Sequence, residues 1–115
     1  MNLQNEITAV MNAIKPRIAN TPEQLLLMVC QKLGISTADI KGSKRTQDLV
    51  EARIVATQLI RNNTTLKDAE IADVLNRERT TVYYYLDMFE VVKRQKTGAQ
   101  KIKLVNEIDV RLCEI

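Results

Sequence analysis

Residues 69–88 read AEIADVLNRERTTVYYYLDM, and this stretch decides the fold. Ile71 and Leu75 have the spacing of one helix face, and an apolar helical pattern resumes at Val82. Asn76 stands between the two patterns, where the backbone needs a residue that tolerates left-handed geometry. The spacing therefore predicts two helices joined by a very tight turn.

Such a helix pair needs a small residue where its two helices nearly touch, and Ala72 occupies that place. The first helix is predicted to be capped by Thr65 and to run to about Leu75, and the second to begin near Glu78. The inward side chains of the second helix are Val82, Tyr85, Leu86, Phe89 and Val92. This pattern indicates a helix-turn-helix, although a plain helical hairpin gives a similar one.

The start of the second helix carries side chains that suit DNA reading, namely Arg77, Glu78, Arg79, Thr80 and Thr81. Arg79 can donate two hydrogen bonds to guanine, and Glu78 can accept one from cytosine. The threonines can contact a thymine methyl group or a phosphate. The alternative is a solvated helix start in which Thr80 and Glu78 only assist capping.

Tyr83 and Tyr84 fall opposite the apolar face, so we expect at least one to be exposed. Tyr84 is therefore included among the candidate DNA contacts. The alternative is that these rings pack under the C-terminal helix.

Upstream of the motif the chain predicts three further helices. Residues 21–24 form a capping box with proline at the first helical position, and Gly34 ends the helix that follows. Residues 36–40 predict a short helix, and residues 41–46 a polar, basic loop. Residues 47–60 predict a long core helix.

Amphipathic helices are expected at both ends of the chain. Residues 1–20 predict an N-terminal helix, which Pro16 ends or kinks. A basic, glycine-containing stretch at residues 93–101 leads to a C-terminal helix with the apolar stripe Ile102, Val105, Ile108, Leu112 and Ile115. We therefore divide the chain into residues 1–20, 21–96 and 97–115, with the compact helical domain in the middle.

The formal charge is only +3, but residues 41–103 carry 13 Lys or Arg against 8 Asp or Glu, so the positive excess lies around the motif. Lys44, Arg45 and Arg53 predict a second basic surface for phosphates or a minor groove. A merely solvated loop is the alternative.

The sequence has no histidine, which removes the commonest general base and metal ligand. Cys30 and Cys113 lack metal-site spacing, and Cys30 is predicted to be a buried free thiol. We therefore expect neither enzyme activity nor a metal or cofactor. No apolar run is long enough to span a membrane, so a cytoplasmic protein is expected.

Residues 21–96 resemble the C-terminal DNA-binding domain of the bacterial replication initiator DnaA, a helical fold also related to the Trp repressor. The resemblance lies in TPEQLLLMVCQKLGISTADI (residues 21–40), KGSKRTQDLVEARIVATQLI (residues 41–60) and AEIADVLNRERTTVYYYL (residues 69–86). The last stretch is the most specific. The resemblance implies an all-α fold that binds double-stranded DNA.

In that family an Arg-Asp-His-Thr-Thr run begins the recognition helix and reads bases in the major groove. The similar run here is residues 77–81, in which Glu78 stands for aspartate and Arg79 for histidine. Arg79 keeps a donor but changes its reach and charge, so the family's target sequence does not carry over.

The resemblance also implies backbone contacts by Lys44, Arg45 and Arg53, which fall on basic positions of the family. Glu51 and Ala52 stand where the family has Arg-Pro, whose arginine enters the minor groove. This departure weakens the carry-over of minor-groove reading.

The sequence lacks the G-x-x-x-x-G-K-[ST] run that holds nucleotide phosphates, so no nucleotide partner is expected. A stand-alone regulatory or replication-accessory protein that binds specific duplex sequences is the favoured interpretation. A protein-interaction module that keeps the fold is the alternative, favoured by Glu51, Glu78 and the modest charge. The terminal helices either complete the domain or pair two copies as a homodimer.

Overall fold

The computed structural model describes residues 21–107, and over this range the chain forms six α-helices and no β-strand. The predicted all-α class is therefore confirmed. No helix in this range is long and apolar enough to cross a membrane. The helices are α1 (Pro22–Leu33), α2 (Thr37–Lys41), α3 (Gln47–Asn63), α4 (Asp68–Leu75), α5 (Arg79–Arg94) and α6 (Lys96–Asn106).

The first helices begin and end where their capping residues predict. At α1 the backbone N–H of Gln24 donates to Thr21 Oγ1 over 3.1 Å, and the Gln24 side chain accepts from the Thr21 N–H over 3.0 Å. Gly34 ends the helix with a positive φ of 68°. The Ser36 hydroxyl accepts from the Asp39 N–H over 3.0 Å at the start of α2.

The long helix α3 is the centre of the core. It packs against α1, α5 and α6, and also contacts α2 and α4. Its fully buried apolar residues are Ala52, Ile54, Val55, Ala56, Leu59 and Ile60. Since this helix is surrounded by the others, it fixes the positions of all the elements that flank the basic loop.

The predicted helix-turn-helix is present as α4 and α5. Asn76 has the left-handed conformation that its position requires, with φ 55°. The Arg77 N–H donates to the Ala72 carbonyl over 2.8 Å, which closes the turn. The cap differs from the expectation: Lys67, rather than Thr65, is the N-cap of α4, because its backbone N–H donates to the Glu70 side chain over 3.0 Å.

The C-terminal helix begins earlier than expected, since α5 extends to Arg94 and α6 starts at Lys96. Gly98 lies inside α6, where a Cβ atom would come within 2.1 Å of the Val92 carbonyl oxygen. The glycine thus serves a close helix contact rather than a flexible link. Ile102 and Val105 of the predicted stripe are buried.

Two predictions lie outside the described residues. These are the N-terminal helix over residues 1–20 and the part of the C-terminal stripe made by Ile108, Leu112 and Ile115. The division of the chain into three segments stays a prediction.

Candidate nucleic-acid interface

An open groove of about 740 Å³ lies between the basic loop, the start of α3 and the helix-turn-helix. Its lining residues are Ser43, Arg45, Val50, Arg53, Asn76, Arg77, Glu78, Thr80, Thr81, Tyr84 and Tyr85. Every predicted site residue except Lys44 and Arg79 is among them. Residues far apart in the sequence thus meet at a single surface.

The first turn of α5 projects its polar side chains outward. Glu78 is the N-cap residue, and Arg79 and Thr80 are exposed beyond it. The helix has no acidic residue in its first turn, and the Glu78 side chain makes no capping hydrogen bond. The partial positive charge of the helix start favours phosphates and base acceptors, whereas the exposed Glu78 carboxylate favours a donor such as the cytosine amino group.

Arg79 reaches away from the groove along α5. Its guanidinium carbon lies 5.9 Å from the centre of the Tyr83 ring, which is a cation–π distance. The side chain is exposed and forms no ion pair with any residue in the range 21–107. Its donors are therefore available to an acceptor outside the protein.

Arg77 departs from the expectation that it reads bases. Its Nη1 atom donates to the carbonyls of Lys41, over 3.2 Å, and of Asn76, over 2.9 Å. Its Nη2 atom donates to the carbonyls of Ile40, over 3.4 Å, and of Gly42. Four of the five guanidinium donors are thus engaged by backbone, which leaves no pair for a guanine. Arg77 is a positioning residue for the basic loop.

Arg53 also departs from the expectation, because its side chain is only 1% exposed. Its Nε donates to the Ile40 carbonyl over 2.7 Å, and its Nη2 donates to the carbonyls of Asp39, over 3.0 Å, and Gly42, over 3.1 Å. A guanidinium in this position cannot meet a phosphate. The prediction of a surface contact by Arg53 is corrected to a structural function.

Burial lowers the pKa of Arg53, and the neighbouring charge of Arg77 lowers it further, while Tyr85 acts in the opposite direction. Arginine nevertheless stays protonated because its ordinary pKa is so high. Two cations are therefore held side by side by the carbonyl groups that end α2. Their joint effect is to fix the loop that follows α2 against the start of α5.

The loop itself presents two exposed cations. Lys44 lies 3.7 Å from an Asp39 carboxylate oxygen, but both side chains are largely exposed, so the pair is weak and easily exchanged. Arg45 lines the groove and forms no ion pair within residues 21–107. Both predicted loop contacts are therefore placed where a phosphate can reach them.

The tyrosines divide as the helix period predicts. Tyr83 and Tyr84 are 44% and 53% exposed, whereas Tyr85 is buried. Tyr84 borders the groove, and its ring centre lies 6.2 Å from that of Tyr85 in a tilted arrangement. Tyr84 is thus an exposed aromatic residue that borders the candidate interface.

Glu51 is not at the surface, since it is only 2% exposed. Its carboxylate accepts from Lys101 Nζ over 2.9 Å, from the Thr97 hydroxyl over 2.9 Å and from Gln47 Nε2 over 3.3 Å. Burial raises the pKa of Glu51, but these bonds and the charge of Lys101 outweigh it, so the pKa is lowered overall. The residue joins α3 to α6.

Sequence reasoning missed this network and the contribution of Ser43 to the groove. The available signal for the network was an acidic residue inside the apolar pattern of a core helix, which requires a partner. Cys30 is buried as predicted, and burial raises the pKa of its thiol. Residues 21–107 contain no cluster of Cys, Asp and Glu that could hold a metal ion.

Comparison with known proteins connects this surface to a family. A family model described as the bacterial dnaA protein helix-turn-helix matches residues 22–88, which include every predicted site residue. The chain is 31% identical over 103 residues to the chromosomal replication initiator protein DnaA of Microcystis aeruginosa, covering 89% of this chain and 23% of that protein. It is 30% identical over 113 residues to the DnaA protein of Rippkaea orientalis, covering 97% of this chain and 24% of that protein. The chain thus spans about a quarter of the length of these relatives.

Proposed function

The chain belongs to the bacterial DnaA helix-turn-helix family, and on that premise we propose that it binds specific sequences in double-stranded DNA. Membership of this family supports DNA binding by a domain of this kind. The proposal adds base-specific reading through the exposed first turn of α5, assigned to Arg79, Thr80 and Glu78. An α-helix fits the major groove, where base edges present distinct donor and acceptor patterns.

The first turn of α5 offers hydrogen-bond donors and acceptors that match the edges of bases. Arg79 donates to guanine, Glu78 accepts from the cytosine amino group, and Thr80 contacts a thymine methyl group or a phosphate. Thr81 is half-buried beside the groove, so we assign it a phosphate contact close to the protein surface. Tyr84, which borders the same groove, adds a hydroxyl donor.

The observation that carries the proposal is the attachment of the basic loop to the reading helix. Arg77 begins the turn before α5 and donates to three consecutive carbonyls, those of residues 40–42. Lys44 and Arg45 follow after a single residue, Ser43, so phosphate contacts by these two side chains would lie at a fixed distance from the first turn of α5. Phosphate contacts fix the register of a protein on duplex DNA, and base contacts then specify the sequence.

The biological setting proposed is regulatory or replication-accessory, without catalysis and without a bound nucleotide. The relatives are chromosomal replication initiators by name, and this chain matches only about a quarter of each of them. Ile102 and Val105 of α6 are buried in the core, which favours terminal helices that complete the domain; pairing of two copies, which would suit two half-sites one helical turn apart, is the alternative.

The protein-interaction alternative loses one of its supports. An exposed Glu51 would repel phosphate, but its carboxylate is buried and accepts a hydrogen bond from Lys101. Glu78 remains exposed, and a carboxylate at this position also accepts from cytosine. DNA binding therefore accounts for the exposed charges more completely than protein docking does.

The test is fluorescence anisotropy with labelled duplex at several salt concentrations. Phosphate binding makes log affinity fall with log salt by about 0.9 for each phosphate neutralised. We expect a steep slope for the wild type and a clearly shallower one for the Lys44→Gln/Arg45→Gln variant. Lys67→Gln is the matched control, since Lys67 is also exposed but lies at the start of α4. Absence of binding at low salt would contradict the proposal.

A further inference from the structure

The end of α5 and the whole of α6 form a positive segment. Residues 91–106 contain no Asp or Glu, and their cations are Lys93, Arg94, Lys96, Lys101 and Lys103. Apart from Lys101, these cations are exposed and make no ion pair within residues 21–107. Unpaired cations gathered in one segment have to be solvated or to meet an anion from outside.

Two of these lysines share the outer face of α6. Gly98, Ile102 and Val105 are buried against the core, whereas Lys96 and Lys103 are exposed. Positions seven apart lie on the same side of a helix, separated by about 10 Å along its axis. We call Lys96 and Lys103 the α6 basic face.

Two side chains of α6 hold this helix close to the basic loop of residues 41–46. The Thr97 hydroxyl donates to Glu51 over 2.9 Å, and Lys101 Nζ donates to Asp48 Oδ1 over 2.9 Å. Both acceptors lie in the first turns of α3, which begins immediately after the loop that carries Arg45. The start of α6 is therefore held next to the phosphate-binding part of the candidate interface.

Lys101 offsets part of the negative charge at this junction. Glu51 and Asp48 place negative charge at the start of α3, where it would repel a phosphate backbone. Lys101 Nζ lies 2.9 Å from an oxygen of each carboxylate. Burial lowers the pKa of Lys101, but the hydrogen bonds to Asp48 and Glu51 raise it more, so this lysine stays charged. The exposed lysines of α6 are then left to act on an external anion.

We propose that the α6 basic face binds phosphates of the duplex that flanks the sequence read by α5. The inference rests on the proposed function and extends the DNA surface from the loop onto α6. A lysine offers a mobile point charge and suits a phosphate at any sequence. Contact by Lys96 and Lys103 therefore adds affinity and salt dependence, and leaves base preference unchanged.

The experiment compares two labelled duplexes that share the sequence enriched by the wild-type protein. One ends at the limits of that sequence, and the other carries flanks of about ten base pairs, roughly one helical turn, on both sides. Affinity is measured by anisotropy over a series of salt concentrations for the wild type, for Lys96→Gln/Lys103→Gln and for Lys67→Gln. Circular dichroism checks that each variant is folded.

We expect the double variant to lower the salt slope on the long duplex by about 1.8, or about 0.9 for each lost phosphate contact. On the short duplex it should match the wild type, and Lys67→Gln should match the wild type on both. An unchanged slope on the long duplex, or an equal loss with Lys67→Gln, overturns the inference alone. A wild-type protein that binds neither duplex contradicts the proposed function itself, so the two failures are distinguishable.

Discussion

Glu51 and Arg53 are two residues apart on α3, and both are buried. Their side chains nevertheless bond to different parts of the fold: Arg53 to the end of α2 and the residue after it, and Glu51 to α6. Arg53 donates to backbone carbonyls of residues 39, 40 and 42, which precede it by 11 to 14 positions. Glu51 accepts from side chains of α6, about fifty residues away. One charge therefore shapes a local loop, and the other fixes the packing of a distant helix.

Only charged side chains without strong partners inside the protein are available to bind DNA. From the sequence, Arg53 is predicted to contact phosphate, and Glu51 favours the protein-interaction alternative. The structure satisfies each of them internally, so the external surface depends on Arg79, Arg45 and Lys44. A charged side chain predicts an interface only after its internal partners have been counted.

The largest effect is expected from Arg53→Leu. The change leaves the carbonyls of Asp39, Ile40 and Gly42 without this donor, and a lost bond to a charged group costs about 1.5–3 kcal/mol. We expect unfolding free energy to fall by about 3 kcal/mol or more, and DNA affinity to fall with it because the loop is released. Urea unfolding measures the first effect. A variant of wild-type stability would show that Arg53 does not hold the loop.

The next largest effect is expected from Gly98→Ala, which changes the packing of α6 against the end of α5. In Gly98→Ala the added Cβ would lie 2.1 Å from the Val92 carbonyl oxygen and 2.5 Å from Val92 Cγ1, so the helix has to move. Overpacking of this kind costs about 2–3 kcal/mol. Ala99→Gly, at an exposed position of the same helix, is the control for propensity alone, and we expect it to cost about 1 kcal/mol. A smaller loss for Gly98→Ala than for the control is inconsistent with close packing here.

Low pH should weaken the hydrogen-bond network of Glu51, because its carboxylate becomes protonated, and should leave the bonds of Arg53 to backbone carbonyls unchanged. Since the pKa of Glu51 is lower in the folded state, its contribution is complete above the unfolded pKa and is lost as pH falls through the folded pKa. Glu51→Gln should therefore cost about 1–2 kcal/mol at neutral pH, and the difference from wild type should shrink as the pH falls below the ordinary range of a glutamate pKa. Unfolding curves at several pH values test this. A difference that does not change with pH would mean that the carboxylate charge is unimportant.

The smallest predicted effect concerns the turn before α5. Asn76 has φ 55°, and its side chain donates to the Lys41 carbonyl over 3.2 Å. Asn76→Ala should cost about 1 kcal/mol, because alanine tolerates the left-handed region less well than asparagine does. Asn76→Gly should cost less, since glycine adopts this φ freely. Thermal melts rank the two, and the reverse order would contradict the conformational argument.

Local patterns were sufficient to predict most of the fold. The capping box at Thr21 and Gln24, the left-handed Asn76 and the buried Cys30 all depend on neighbours within a few positions. The partners of the charged residues could not be predicted in this way. Arg77 bonds to Ile40 across 37 positions and Lys101 to Glu51 across 50, so only the tertiary fold brings these groups together.

The same distinction applies to the candidate site. The exposure of Tyr84 followed from the helix period, and that of Arg79 and Thr80 from their place in the first turn of α5. Arg53 was misplaced because its acceptors are backbone carbonyls, which every residue carries and no sequence pattern marks. The helical start of α6 was missed because Gly98 suggested a loop, whereas Val92 requires a glycine for close contact.

The most direct test is selection from a randomised duplex pool at moderate salt with the wild type, Arg79→Ala and Arg45→Ala. We predict an enriched motif with the wild type, the same motif at lower yield with Arg45→Ala, and loss of a guanine preference with Arg79→Ala. That result assigns base reading to the start of α5 and phosphate binding to the loop. Enrichment of no motif, or of an unchanged motif with Arg79→Ala, would contradict the account.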